Sequence, residues 1–317
     1  MAVKNGKYRN NLSLMGDEYF ITDGGLETTL IFHEGVELPQ FAAFVLLQND
    51  EGRETLGKYF QTYASIANEH EVGFILESPT WRASSKWGKL LGYSVDSLEN
   101  INREAIKLLT IVRNDNECDK TKIVISGCIG PAGDGYVIEE KMSIDQAEEY
   151  HFPQISTFSK TEADLVSAYT MNYVEEAIGI VRAAQSVKIP VVIGFTVETD
   201  GKLPSGQTIK DAINAVDEAT NNYTTYYMIN CAHPTHFQGA LNGDESWKQR
   251  IRAVRANAST RSHAELDEAE VLDDGNPSEL GRQYRELKAQ LSKLNVLGGC
   301  CGTDHRHVEA ICKAING

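Results

Sequence analysis

Residues 19–28 read Tyr-Phe-Ile-Thr-Asp-Gly-Gly-Leu-Glu-Thr. The run 19–22 is short, apolar and partly β-branched, and Asp23-Gly24-Gly25 stops it in a turn, as a buried strand is stopped. The turn decides between two folds. An open, nucleotide-binding sheet would carry Gly-x-Gly-x-x-Gly here, and this turn lacks that spacing. Working outward, seven further apolar runs predict strands at 73–76, 123–126, 164–168, 191–195, 226–229, 251–256 and 296–297. Helical periodicity fills the gaps at 55–70, 95–114, 143–160, 172–186, 208–220, 277–292 and 304–315. Ser143 followed by Gln146 predicts a capping box at one helix start.

Strand and helix alternating about eight times is the pattern of parallel β/α units. That count permits an open doubly wound sheet or a closed barrel. With the fingerprint missing and no Pro/Ser-rich linker, we read an α/β protein, one (β/α)8 TIM barrel. The barrel is placed over 13–317, behind a flexible tail at 1–12. The polar, acidic stretch 261–277 predicts a long surface excursion between the seventh strand and its helix.

Composition narrows the function classes. The chain has 317 residues and a formal net charge of −15, with 41% hydrophobic and 24% charged residues. These values exclude collagen, a wholly disordered chain and a disulfide-dense miniprotein. The acidic balance, with no basic run, argues against nucleic acid as a partner. No stretch approaches the roughly 18 apolar residues of a membrane span, and the polar first 16 residues do not read as a signal peptide. The expectation is a cytoplasmic protein acting on small molecules, with a homo-oligomer left open. Its six cysteines would then be thiols or metal ligands.

In a barrel the chemistry gathers at the carboxyl ends of the strands. The unusual residues fall there: Asp23-Gly24-Gly25 with Glu27, Glu77 to Thr80, Cys128, Thr196, Asn230-Cys231, and Cys300-Cys301 between glycines. Closure would bring the sixth and eighth strand ends to one mouth. Three thiolates, from Cys231, Cys300 and Cys301, could then hold one Zn²⁺ with a fourth position open, the layout of a catalytic zinc. Two successive side chains reaching one metal need a sharply bent backbone, which the flanking glycines permit. On spacing alone, adjacent cysteines can equally be small buried residues or a vicinal disulfide. Cys128 reads as a lining residue rather than a fourth ligand, and His305 and His307 as solvated helix residues.

These motifs, Asp-Gly-Gly-Leu-Glu-Thr at 23–28, Ser-Gly-Cys-Ile-Gly-Pro at 126–131, Gly-Phe-Thr at 194–196, Asn-Cys-Ala-His-Pro at 230–234 and Gly-Gly-Cys-Cys-Gly-Thr at 298–303, resemble the zinc-dependent homocysteine S-methyltransferase family over about residues 18–315. The resemblance implies methyl transfer from a sulfonium or quaternary ammonium donor to a thiol, homocysteine giving methionine, and so a place in methionine biosynthesis. It implies Cys231, Cys300 and Cys301 as the zinc ligands and Asp23, Gly24 and Gly25 at the amino-acid pocket. No side chain is assigned a catalytic role beyond the zinc-activated thiol. Glu27, Glu77, Thr80, Tyr169, Thr196 and Asn230 complete the expected substrate contacts. One departure stands out: the family usually carries Phe-Glu-Thr at the end of the fourth strand, and here the residues are Ala168-Tyr169-Thr170. Either another acid, Glu27 or Glu77, compensates, or the acceptor is a different thiol. Two further readings differ in class: a non-catalytic zinc or redox-binding relative, and a metal-free barrel enzyme using Asp23 and Glu77 as acid and base.

Overall fold

The computed structural model describes residues 5–12, 16, 18–243, 246–269 and 271–316. Eight strands form a closed, all-parallel barrel in chain order: β1 (Phe20–Ile21), β2 (Gly73–Glu77), β3 (Ile123–Ile129), β4 (Leu165–Met171), β5 (Val191–Phe195), β6 (Tyr226–Asn230), β7 (Ile251–Ala256) and β8 (Val296–Gly299). Phe20 pairs with Gly73 on one side and Val296 on the other, which closes the ring. The (β/α)8 reading therefore holds. The expected strand centres are correct, and most carboxyl ends run one to three residues further than the sequence suggested.

Seven main helices cover the barrel: Asp50–Glu69, Val95–Asn116, Ile144–Ser159, Val174–Ser186, Ile209–Thr220, Pro277–Gln290 and His305–Asn316. Their starts follow from capping chemistry. Asn49, Ser94, Ser143, Thr208 and Asn276 each accept a backbone N–H of the first turn, satisfying donors the helix itself cannot. Ser143 and Gln146 form the expected capping box. No helix among the described residues is long and apolar enough to cross a membrane.

Two cores result from the alternation of strand side chains. Outward residues such as Phe74, Ile125, Ile193 and Val254 pack under the helices. Inward residues Phe20, Ile75, Val124, Leu165, Val192, Tyr226, Ala253 and Val296 fill the barrel interior, so the barrel is solid below its mouth. Tyr226 points in and Tyr227 points out, where it stacks on Phe195 at 6.1 Å.

Residues 5–12 correct the expectation of a flexible tail over 1–12. Tyr8 and Leu12 pack against the interior core from below. The Tyr8 amide donates to Asp164 at 2.6 Å, and the Arg9 guanidinium donates to the carbonyls of Ser159 (2.7 Å), Thr161 (2.9 Å) and Ala163 (3.0 Å from Nε). An open barrel end exposes apolar side chains and strand-start polar groups, and this segment covers both. Residues 1–4 lie outside the described residues. The 261–277 excursion is present, but it carries a capped helical turn, His263–Asp267, and buries His263.

Candidate active site

Side chains from the carboxyl ends of several strands line one cavity. Its lining includes Asp23, Gly24, Gly25, Glu27, Glu77, Cys128, Tyr136, Tyr169, Thr170, Arg255 and the three cysteines 231, 300 and 301. The cavity is about 100 Å³, small beside those that take drug-sized ligands.

The sulfurs converge as closure requires. The Sγ atoms of Cys231, Cys300 and Cys301 all lie within 4.8 Å of one another. Cys231 and Cys300 are in bonding contact, with Cα atoms 5.4 Å apart. Cys231 is buried, Cys300 partly so, and Cys301 exposed toward the mouth. Backbone shape makes the meeting possible. Cys231 adopts φ 54° and Thr170 φ 63°, left-handed values that non-glycine residues rarely take away from functional sites. Asn230 holds that pair of bends: its Oδ1 accepts the Thr170 amide at 3.0 Å, and its Nδ2 donates to Thr170 Oγ1 at 3.0 Å. Beside the doublet, a Cβ on Gly298 would overlap the Thr22 side chain and one on Gly299 the Thr303 side chain. Only glycine lets the two segments approach this closely.

Charge is arranged around a buried arginine. Arg255, at the end of β7, donates through Nη1 to Asp23 Oδ1 at 2.6 Å and to Tyr169 Oη at 3.2 Å. Its Nε and Nη2 donate to the carbonyls of Gly299 (3.0 Å) and Gly24 (2.9 Å). Burial alone would lower its pKa; Asp23, Tyr169 and Glu77 outweigh that and hold it above the ordinary value. Tyr59 Oη donates to the second Asp23 oxygen at 2.9 Å. Both oxygens of Asp23 are therefore engaged within the protein. Tyr169 Oη donates to Glu77 Oε1 at 2.7 Å, and Glu77 Oε2 is buried without a partner among the described residues. Burial pushes the carboxyls of Glu77 and Glu27 up to about 7, and pushes the Cys128 thiol well above its usual range.

The sequence-predicted residues divide into two groups. Asp23, Gly24, Gly25, Glu27, Glu77 and Tyr169 line the cavity with the cysteines. Thr80, Thr196 and Asn230 do not; all three are fully buried beside it. The Thr80 hydroxyl donates to the Cys128 carbonyl at 2.7 Å and is fully buried. Thr196 Oγ1 donates to the Cys231 carbonyl at 3.3 Å. All three brace the wall from behind. His307 also departs from expectation: it is fully buried, with Nδ1 3.1 Å from the Asp304 amide and Nε2 2.8 Å from the Asp274 carbonyl.

Arg255 and Tyr136 escaped the sequence reading. Arg255 had a signal, since it lies two residues after the inward Ala253 in an otherwise apolar strand end. Tyr136 sits in the loop after β3, stacked on His263 at 3.9 Å with its hydroxyl 3.6 Å from Cys301 Sγ. Nothing local marks it.

Comparison with known proteins places this arrangement. A family model described as homocysteine S-methyltransferase matches residues 20–315. "Homocysteine S-methyltransferase 1" of Arabidopsis thaliana is 21% identical over 319 residues, 93% of each chain. The protein of the same name from Brassica oleracea var. italica is 21% identical over 318 residues, again 93% of each chain. Among solved structures, the homocysteine methyltransferase MmuM from Escherichia coli shares the fold. Its oxidized form superposes with TM-score 0.75 at 16% identity, covering 95% of this chain and 97% of that one. Its metallated form gives 0.73 at 15%, covering 95% and 98%.

Proposed function

The chain belongs to the homocysteine S-methyltransferase family, and we propose that it moves a methyl group from a sulfonium or quaternary ammonium donor to a thiol, homocysteine by default, at a zinc ion held by Cys231, Cys300 and Cys301. The observation that carries this reading is the meeting of those three sulfurs within 4.8 Å at a cavity mouth.

The residues fit the ion. Thiolates are good zinc ligands, and Zn–S bonds of about 2.3 Å in a tetrahedron put sulfurs roughly 3.8 Å apart; the three Sγ atoms are gathered within 4.8 Å, and Cys231 and Cys300, in bonding contact here, would hold the ion as separated thiolates once reduced. Cys128 lines the cavity but does not belong to the cluster of converging sulfurs. When bound, zinc supplies a position at which an acceptor thiol is held deprotonated near neutral pH. A reducing cytoplasm would keep three such cysteines available.

The protein's own contribution is alignment. The bends at Cys231 and Thr170, stitched by Asn230, fix one ligand, and the glycine-flanked doublet fixes two. The acceptor sulfur's lone pair forms the new S–CH₃ bond as the donor's C–S⁺ or C–N⁺ bond breaks, its electron pair leaving on a neutral sulfide or amine. The thiol proton goes to solvent. Charge is quenched, so geometry rather than a general base is the main requirement. Tyr136 and Trp81 line the cavity mouth, and aromatic faces suit a cationic donor.

The test is a donor-by-acceptor matrix on zinc-loaded protein, with S-methylmethionine, S-adenosylmethionine and betaine against homocysteine and other thiols. Methionine formation that disappears in Cys231→Ser supports the proposal. Activity surviving in Cys231→Ser overturns it. One observation favours a second reading, a thiol other than homocysteine: the end of β4 presents a phenol at Tyr169, and Asp23 is already consumed by Arg255 and Tyr59. Transfer to another thiol in the same matrix, in preference to homocysteine, would establish it.

A further inference from the structure

Resting on the methyl-transfer reading above, we propose that Glu77 is the anchor for a cationic amine on the acceptor thiol, with its free oxygen aimed into the cavity by Tyr169. Three acids line the cavity: Asp23, Glu27 and Glu77. Asp23 has given one oxygen to Arg255 and the other to Tyr59. Each of its oxygens already accepts one bond and its charge faces Arg255, so it offers a cation less than a carboxylate with a whole oxygen unpartnered. Glu27 sits on the short turn Leu26–Thr28 and is only partly buried. Glu77 differs from both. It ends β2, is 6% exposed, and holds Oε1 against the Tyr169 hydroxyl at 2.7 Å. Its Oε2 has no hydrogen-bond partner within normal bonding distance among the described residues.

A buried carboxylate oxygen without a hydrogen bond costs free energy, and such atoms are rare in folded proteins. An ammonium group arriving from the cavity would satisfy it with a charge-assisted bond. The orientation is built. Arg255 Nη1 donates to Tyr169 Oη, whose single proton is thereby turned toward Glu77 Oε1. Oε1 is occupied and Oε2 remains for a ligand. Asp23, Arg255, Tyr169 and Glu77 thus form a chain across the mouth from β1 through β7 and β4 to β2. Tyr169 is a positioning residue in this scheme, and Glu77 touches the substrate.

Equilibrium binding by calorimetry to zinc-loaded protein at pH 8 tests this with three probes: homocysteine, 3-aminopropane-1-thiol, which keeps the amine and lacks the carboxylate, and 4-mercaptobutanoate, which lacks the amine. Wild type is expected to bind both amines about 10- to 100-fold tighter than 4-mercaptobutanoate, the range of a charge-assisted hydrogen bond. Glu77→Gln removes that preference. Tyr169→Phe weakens amine binding several-fold and leaves 4-mercaptobutanoate unchanged, which a general loss of packing would not do. Should Glu77→Gln fail to fold, Glu77→Asp, keeping the charge on a shorter arm, is expected to reduce the preference without abolishing it. No preference in wild type, or full preference in Glu77→Gln, overturns the anchor. Amine preference without methyl transfer from any donor removes the methyl-transfer reading and leaves the anchor standing. Unchanged homocysteine KM in an active Glu77→Gln enzyme removes the anchor and leaves the transfer.

Discussion

Arg255 and Asp23, 232 residues apart in the chain, form a 2.6 Å ion pair inside the barrel mouth. Each also bonds a second element: Arg255 reaches the Gly299 and Gly24 carbonyls, and Asp23 accepts from Tyr59. The pair ties the turns after β1 and β8 to β7, and the turn after β8 carries the Cys300–Cys301 doublet.

Breaking that pair from one side should be costly. Arg255→Met leaves Asp23 charged and buried, and should lower stability by about 3–5 kcal/mol. Asp23→Asn in the same chain should recover part of the loss. Urea unfolding of the two single variants and the double variant measures the coupling.

Metal content should track the sulfurs. Freshly purified, reduced protein is expected to hold about one zinc per chain by elemental analysis. Cys231→Ser and Cys301→Ser should each lose most of it, with activity falling at least about 100-fold. A chelator should abolish activity and added zinc restore it, since ligand and metal are lost together.

The doublet's glycines make a separate prediction. Gly299→Ala places a methyl group into the Thr303 side chain, whose hydroxyl donates to the Cys300 carbonyl at 2.7 Å. Overpacking of about 1–3 kcal/mol is expected, together with weaker zinc retention. Thermal unfolding and dialysis against chelator would show both.

Stability should also depend on pH through Glu77. Its folded pKa, about 7, lies above the ordinary glutamate value because it is buried. The folded state therefore keeps a proton that the unfolded chain releases as pH passes the ordinary value near 4.5. Its contribution is fully present below that value and is lost as pH rises to about 7. Tyr169, Arg255 and Cys128 face the same carboxyl, and Arg255 and Tyr169 hold the shift down. Glu77→Gln should gain stability relative to wild type between pH 5 and pH 8, by about 1–3 kcal/mol. Urea unfolding at the two pH values measures it; an equal difference at both would contradict it.

The barrel and its three cysteines were legible in the chain itself. Strand and helix periods are local, the missing phosphate turn after Tyr19–Thr22 is local, and a ring of eight parallel units brings alternate strand ends to one mouth whatever the loops do. Cys231 and the Cys300–Cys301 pair therefore had to approach each other once the ring closed. The tertiary structure alone decided which polar groups are spent and which are free. That Asp23 is consumed by Arg255, that Thr80, Thr196 and Asn230 stand behind the wall, that His307 is buried and that Glu77 keeps one open oxygen all depend on register between distant strands. A shift of one residue turns an inward side chain outward, and no local pattern records how a phenol on β4 meets a carboxylate on β2.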